Sequence, residues 1–155
     1  INKLLEYLLI NYEKPLIIDA DALNYISKNL DLLNKRKYTT IITPHIGEFS
    51  RLLNISIEEI QKDRIKAINY FYEKFNNNIV LILKGARTII SDKENIYINS
   101  TGSPSLARGG SGDILSGILG SLICQNNSII NSAIISVYLH GLVGEIISKN
   151  INDII

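Results

Sequence analysis

The stretch IVLILKG, residues 79–85, is a short, unbroken apolar run that ends on a lysine and a glycine. An apolar run of this length without alternation is typical of a strand that is covered on both faces, as in a parallel sheet. Two similar runs precede it at 16–18 and 39–44, and helical patterns separate the three. Further strands at 88–91 and 96–99, joined by a polar turn, predict an antiparallel hairpin. The sequence therefore predicts an α/β fold with a largely parallel sheet flanked by helices.

Helical periodicity fills the segments around these strands. Asp21 is placed to cap one helix, and Ser56 with Glu59 forms the S-x-x-E pattern of a capping box at the start of another. The predicted helices run approximately over residues 3–12, 21–33, 49–53, 56–75, 111–124 and 128–149.

Composition limits the classes of partner. The 155 residues are 46% apolar and 20% charged, which is enough to bury the core of one domain. Sixteen basic and fifteen acidic residues give a net charge of +1, so we expect neither nucleic acid nor an anionic membrane as a partner. No apolar run approaches the ~18 residues of a membrane span, and we expect a cytoplasmic protein. Cys124, the single cysteine, lies in an apolar helical pattern and is predicted to be buried. His140 lies in another such pattern and is predicted to be a core or interface residue.

A glycine-rich segment, residues 106–113, contains the start of the helix predicted at Ser111. The first N–H groups of a helix have no intrahelical partner and carry partial positive charge. Gly109, Gly110 and Gly112 leave that backbone bare, so an anion can approach it. The segment predicts a phosphate site, although it matches neither the Walker A loop nor G-x-G-x-x-G.

Asp113 follows these glycines and admits two interpretations. A carboxylate in the first helical turn is stabilised by the helix dipole by about 0.3–1 kcal/mol, which would be a purely structural role. Beside a phosphate, the same carboxylate could accept the proton of a hydroxyl that attacks the phosphorus, as a general base does in phosphoryl transfer. The residues alone leave both interpretations open.

Other polar residues lie where the predicted strands end, at the edge where open α/β sheets bind ligands. Lys84 could neutralise a phosphate and residues 85–88 could wrap a nucleotide, or these residues could form only a solvated turn. Asp19 follows the first strand and could simply end it. His45 and Glu48 share one loop but lack a third ligand for a metal site.

Five motifs, in this order and at these separations, resemble the C-terminal half of the ADP-dependent NAD(P)H-hydrate dehydratases, the YjeF C-terminal type of the ribokinase-like superfamily. The resemblance implies a ribokinase-like fold in which residues 1–155 are the C-terminal portion of a single carbohydrate kinase-type domain. The motifs are DADALN (19–24), TPHIGEFSRL (43–52), LKGARTII (83–90), TGSPSLARGGSGDILSGILG (101–120) and YLHGLVGE (138–145).

The resemblance implies a metabolite-repair enzyme. Such an enzyme uses ADP to phosphorylate the hydroxyl of the S form of hydrated NADH or NADPH, and loss of phosphate then regenerates the reduced cofactor. AMP and phosphate are the other products. ADP and Mg²⁺ are the implied cofactors, with no protein ligand assigned to the metal. The family also implies a homo-oligomer of the intact parent, and it allows an epimerase domain upstream.

Roles for individual residues follow from the same resemblance. Asp113 is implied as the base that activates the hydroxyl of the hydrate, and both Asp113 and His45 are implied to contact the hydrated dinucleotide. The implied nucleotide-binding residues are Lys84, Gly85, Ala86, Arg87, Thr88 and Gly112, and the backbone that holds the transferring phosphate is that of Gly109, Gly110 and Ser111.

The chain departs from the family pattern in length. A full domain of this family carries further N-terminal strands and glycine-rich loops, whereas this chain opens on Ile1 and contains no methionine. We therefore expect a C-terminal piece of a longer protein that is inactive or weakly active when isolated.

Two alternatives to hydrate repair remain open at this stage. A ribokinase-like kinase for a vitamin precursor or a sugar would use the same anion site and the same base, but it would release a stable phosphoester. A nucleotide-binding module without catalysis would use the anion site alone.

Overall fold

Five short strands form one mixed sheet in the order β1-β2-β3-β4-β5. β1, β2 and β3 are parallel, and β4 and β5 follow as antiparallel neighbours. The predicted α/β fold with an antiparallel hairpin is therefore confirmed, and the sheet is mixed, with two parallel and two antiparallel strand pairs. The computed structural model describes residues 2–75 and 78–152. The strands are β1 (Leu16–Ile18), β2 (Thr40–Ile42), β3 (Ile79–Leu83), β4 (Ile89–Ser91) and β5 (Ile96–Ile98).

Helices occupy the segments between and after these strands. A single 3₁₀ turn, Pro104–Leu106, lies between β5 and α7. The α-helices of the described residues are α1 (Asn2–Asn11), α2 (Asp21–Ile26), α3 (Asp31–Lys35), α4 (Ile46–Leu53), α5 (Ile57–Lys62), α6 (Arg64–Lys74), α7 (Ser111–Cys124) and α8 (Ile129–Asn152).

The residues of β3 alternate between two hydrophobic cores, one on each face of the sheet. Ile79, Leu81 and Leu83 belong to a core built mainly with α1 to α6. Val80 and Ile82 belong to the second core, which α7 and α8 complete. All five residues of β3 are buried. The unbroken apolar run is thus explained by helices on both faces, which leave no strand position for water.

Two helical predictions were wrong in detail near β1. The segment predicted as one helix over 21–33 forms α2 and α3. Asp21 is not a cap: Ala20 holds the N-cap position with φ 51° and ψ −124°, Asp21 is the first helical residue, and no side chain caps the helix. The acidic side chain therefore lies in the first turn, where the helix dipole stabilises it without an N-cap bond.

The predicted helix over 56–75 is also two helices. Asp63 leaves the helical region with φ −153° and ψ 89°, so it ends α5 and caps α6 by accepting a hydrogen bond from the Lys66 N–H. The periodicity of apolar residues continues across this break, which is why the sequence alone suggested one helix. The break sets the direction in which α6 begins, and with it the position of Arg64.

Cys124 was predicted to be buried and is exposed at the end of α7. The neighbouring apolar residues of that helix, Leu115 and Leu119, are the ones that reach the core. α4 also begins earlier than predicted, at Ile46 rather than near residue 49.

α8 departs from the expectation that no segment is long and apolar enough for a membrane span. Residues Ile129–Asn150 are long and apolar enough to cross a membrane, by length and composition alone. About a third of the 18-residue apolar stretch within them is buried in the protein. One side of α8, including Ala133 and Val137, packs against the sheet with α7. Ile135, Val143 and Ile146 of the same helix are exposed.

Candidate functional site

The carboxyl ends of β1, β2 and β3 bring three sequence motifs together. An isolated parallel bridge pairs His45 with Lys84, and the Lys84 N–H donates to the Pro44 carbonyl at 2.8 Å. The Lys84 Nζ atom donates to Asp19 Oδ1 at 2.7 Å, and both side chains are mostly buried. These residues therefore meet at the edge of the sheet where α/β proteins bind their ligands.

The first turn of α7 lies directly over this ion pair. A Cβ atom built on Gly112 would be 3.0 Å from Asp19 Oδ2 and 3.5 Å from Lys84 Nζ. An alanine there would be in tight contact with the carboxylate, so Asp19 would have to move by a few tenths of an ångström. Gly110, the N-cap residue, has φ 82° and makes no side-chain cap. The Ser111 N–H donates to the Arg108 carbonyl at 3.3 Å. At Gly110 and Gly112, however, no side chain covers the backbone of the helix start beside the lysine, which is a favourable arrangement for an anion.

A cavity of about 970 Å³ joins the predicted nucleotide and phosphate segments. Its lining includes most of the predicted site residues: His45, Lys84, Gly85, Ala86, Arg87, Thr88, Gly109, Ser111 and Gly112. Gly110 and Asp113 are not among the lining residues, although both adjoin residues that are. Asp113 is exposed in the first turn of α7.

His45 caps α4 and shares a reciprocal set of bonds with Glu48. The His45 Nδ1 atom accepts from the N–H groups of Gly47 at 3.0 Å and Glu48 at 3.3 Å. Glu48 Oε2 in turn accepts the His45 N–H at 2.8 Å. Because Nδ1 accepts these bonds, the ring hydrogen is assigned to Nε2, which lies 3.4 Å from Glu48 Oε1. The ring is thereby fixed in orientation at the mouth of the cavity.

His140 was predicted to be a core or interface residue, and the structure places it in the wall of the cavity. It lies in α8 and lines the cavity, with Nε2 at 3.0 Å from Ser111 Oγ. Burial lowers the pKa of His140 below its usual value, a hydrogen bond to the Ser111 backbone opposes this shift, and the positive charge of Lys84 adds to it. The signal available in the sequence was the glycine that follows His140 in the YLHG motif. That glycine, Gly141, also lines the cavity.

The 3₁₀ turn lines another side of the cavity. Two glycines of α8 allow this turn, and Thr101 before it, to lie close to the helix. A Cβ atom on Gly144 would lie 2.6 Å from Leu106 Cγ, and one on Gly141 would lie 2.9 Å from the Thr101 carbonyl carbon. Glu145 Oε1 accepts the Gly102 N–H at 2.9 Å. These contacts tie the loop before α7 to α8.

A family model described as NAD(P)H-hydrate dehydratase matches residues 1–152. The chain belongs to the NAD(P)H-hydrate dehydratase family. The resemblance found in the five motifs is therefore confirmed.

Individual relatives agree with this membership. The chain is 41% identical to a "Bifunctional NAD(P)H-hydrate repair enzyme Nnr" of Coxiella burnetii over 94% of this chain and 28% of that protein. It is 36% identical to the "ADP-dependent (S)-NAD(P)H-hydrate dehydratase" of Neisseria meningitidis over 89% of this chain and 47% of that protein. The chain thus spans half or less of the length of these relatives.

A solved structure supports the fold of this family member. The ADP/ATP-dependent NAD(P)H-hydrate dehydratase of Bacillus subtilis, co-crystallised with ATP and Mg²⁺, superposes with a TM-score of 0.74 at 31% identity. The match covers 87% of this chain and 47% of that one. The ribokinase-like fold is therefore shown for the part of the domain that this chain contains.

Among the residues that the structure describes in this family member, no three His, Cys, Asp or Glu side chains group as metal ligands. Asp19 is paired with Lys84, and Glu48 is bonded to His45. This set does not form a protein cage for a cation. It does fit Mg²⁺ carried by nucleotide phosphates, because that ion keeps most of its waters and takes few protein ligands.

Proposed function

We propose that this chain carries the nucleotide site and the catalytic base of a cytoplasmic, ADP-dependent (S)-NAD(P)H-hydrate dehydratase. The observation that carries the proposal is the packing of Gly112 over the Asp19–Lys84 pair, because Asp113 follows Gly112 in the same helical turn, where we propose that phosphate binds. The family membership and the names of the relatives from Neisseria meningitidis and Bacillus subtilis support the choice of reaction.

The nucleotide lies in the cavity, with its phosphates directed at the first turn of α7. Lys84 and the backbone of residues 85–88, which line the cavity, hold the nucleotide. The backbone of Gly109, Gly110 and Ser111 holds the transferring phosphoryl group, and Gly109 and Ser111 line the same cavity. Donors that are already in place when charge develops lower the barrier without reorganisation. Mg²⁺, when bound with the nucleotide, neutralises phosphate charge.

Phosphoryl transfer begins at the hydroxyl of the hydrated nicotinamide ring. Asp113 accepts the hydroxyl proton, and the oxygen forms a bond to the β-phosphorus of ADP while the bond to the bridging oxygen breaks. AMP leaves with the electron pair of that bond. His45, held in orientation by Glu48, contacts the hydrated dinucleotide at the mouth of the cavity.

Elimination then restores the cofactor. The carbon–oxygen bond of the phosphorylated ring breaks, and phosphate takes its electron pair. Loss of a proton from the neighbouring ring carbon forms the double bond of NADH or NADPH. The hydrate has thus lost one water in total, and ADP has been split into AMP and phosphate.

A comparison of two aspartates tests the role of Asp113 in the parent protein, meaning the longest native gene product that contains these 155 residues. Asp31 is the matched control, because it is also exposed and also lies in the first turn of a helix, α3. We expect Asp113→Asn to lower kcat for ADP-dependent hydrate repair by roughly 10²–10⁴-fold, the usual contribution of a general base. Asp31→Asn removes the same charge–dipole contact and should leave kcat unchanged. Equal effects of the two substitutions would contradict the proposal.

The products of the same assay separate the remaining alternatives. Free phosphate together with restored absorbance of reduced nicotinamide supports the dehydratase. A stable phosphoester would indicate a kinase. Nucleotide binding without turnover in the parent protein would indicate a module without catalysis.

The relative from Coxiella burnetii is named bifunctional, which supports a second activity in the parent protein. The homo-oligomer and the upstream epimerase domain stay predictions.

A further inference from the structure

Arg64 joins the start of α6 to the predicted nucleotide loop, residues 85–88. Its Nη1 atom donates to the Ala86 carbonyl at 2.9 Å and lies 3.4 Å from the Arg87 carbonyl, also as a donor. Arg64 is the first residue of α6 and directly follows the break at Asp63. Neither the five motifs nor the proposed function includes Arg64.

Peptide geometry gives these contacts a consequence for the loop. The carbonyl and the N–H of one peptide group point in opposite directions across a planar trans bond. Because Arg64 holds the Ala86 and Arg87 carbonyls, the N–H groups of Arg87 and Thr88 point away from the guanidinium. Residues 85–88 line the cavity, and Arg64 does not. The Arg87 and Thr88 donors of this loop are therefore oriented by a cation outside the cavity lining.

The backbone of the loop also needs support from its surroundings. Arg87 has φ 54°, a left-handed conformation that is uncommon for a residue with a side chain. Such conformations persist where neighbouring groups hold them in place. Thr88 Oγ1 donates to the Gly85 carbonyl at 3.1 Å and holds the loop from within. Arg64 holds it from the adjacent helix.

We propose that Arg64 is a positioning residue that fixes the 85–88 loop for the phosphates or the base of an adenine nucleotide. The ligand class rests on the proposed function, but the orientation of the loop does not. The positive charge of the guanidinium adds to the effect, since it polarises the two peptide groups whose N–H ends point away from it.

Substitutions at Arg64 in the parent protein test this role. Arg64→Ala should raise the Kd for AMP by roughly 10-fold or more, the size expected for loss of hydrogen bonds from a charged group. Arg64→Lys keeps the charge and a donor but not the planar fork, so it should recover part of the affinity. Lys66→Ala is the control, because it removes one exposed cation from the same helix. We expect it to change the Kd by less than about 2-fold, as for an exposed charge.

Two further measurements separate positioning from a general loss of stability. In steady-state kinetics, Arg64→Ala should raise the KM for ADP while kcat at saturating ADP changes little. Without any nucleotide, the amide hydrogens of Arg87 and Thr88 should exchange faster in Arg64→Ala than in the wild type, and those of β3 should not. Arg64→Ala with the AMP affinity and the exchange rates of Lys66→Ala would overturn the inference.

The outcomes distinguish this inference from the proposed function. An unchanged Kd for AMP in Arg64→Ala, with normal hydrate repair by the wild type, removes the role of Arg64 and leaves the proposed function standing. A raised Kd in Arg64→Ala, with no hydrate repair by the wild type, supports Arg64 and contradicts the proposed function.

Discussion

Lys84 Nζ and Asp19 Oδ1 lie 2.7 Å apart, although 65 positions separate the two residues in the chain. Each follows a parallel strand of the sheet, and the first turn of α7 covers the pair at Gly112. The pair neutralises one carboxylate and directs one ammonium group at the place where phosphate is proposed to bind. We therefore expect the pair to fix the direction of the Lys84 side chain.

Removal of Asp19 should therefore act through Lys84. We expect Asp19→Asn to lower kcat by roughly 10-fold or more, as misplacement of a group in a reacting complex does. The lysine charge remains, so the KM for ADP should change less. In a Lys84→Met background, Asp19→Asn should have little further effect, because residues in one network are not additive. Additive losses in this double-mutant cycle would show that the two residues act separately.

Substitution of Gly112 tests the close approach of α7 to the Asp19–Lys84 pair. Gly112→Ala should lower the rate of hydrate repair, because the new methyl group would lie 3.0 Å from Asp19 Oδ2. Gly117→Ala is the matched control, since a Cβ atom at that position has no neighbour within 4 Å. It should leave the rate unchanged and stabilise the protein by up to about 1 kcal/mol, as alanine does in a helix interior. A rate for Gly112→Ala equal to that of Gly117→Ala would contradict the packing described for α7.

The close contact between Gly144 and the 3₁₀ turn predicts that a larger residue at position 144 lowers the stability of the protein. Gly144→Ala would place a methyl group 2.6 Å from Leu106 Cγ. We expect this overpacking to cost about 1–3 kcal/mol in the free energy of unfolding. Gly120→Ala serves as the control, because its methyl group would lie at an ordinary 3.7 Å from Ile17 Cδ1. Urea titrations of the two variants should separate them, and equal midpoints would show that the turn yields to α8.

His140 predicts a dependence of stability on pH. Its pKa in the folded protein lies below 6.5, the ordinary value, chiefly because burial disfavours the charged ring. The unfolded chain therefore binds more protons near that pH, and folding stability falls as the pH drops from above 6.5 towards the lowered pKa. His140→Gln should lose less stability than the wild type between pH 7.5 and pH 5. Parallel stability curves for the two proteins would contradict this prediction.

Local sequence patterns predicted the elements of this fold better than their ends. The apolar run at residues 79–83 identified β3 because both faces of that strand are covered by helices. The break at Asp63 could not be found in this way, since apolar spacing continues across it. The N-cap at Ala20 was missed for a similar reason. Aspartate is a residue type that often caps helices, but in this structure Asp21 is already the first helical residue and Ala20 is the N-cap.

In the candidate site, too, local sequence patterns were predictable and tertiary contacts were not. The glycines before α7 and the LKGART segment were predicted because each carries its chemistry within a few residues. The Asp19–Lys84 pair and the contact between His140 and Ser111 depend on tertiary packing. Asp19 and His140 were accordingly interpreted as structural. Arg64 makes its contacts with backbone carbonyls, which leave no pattern in the side chains of residues 85–88.

The most direct test of the proposed reaction is the product stoichiometry of the parent protein. With (S)-NADH hydrate, ADP and Mg²⁺, we predict that AMP, phosphate and NADH form in equal amounts, with NADH followed by the return of its absorbance. AMP formation that does not depend on the hydrate, or a phosphorylated hydrate that accumulates without NADH, would contradict the proposed function.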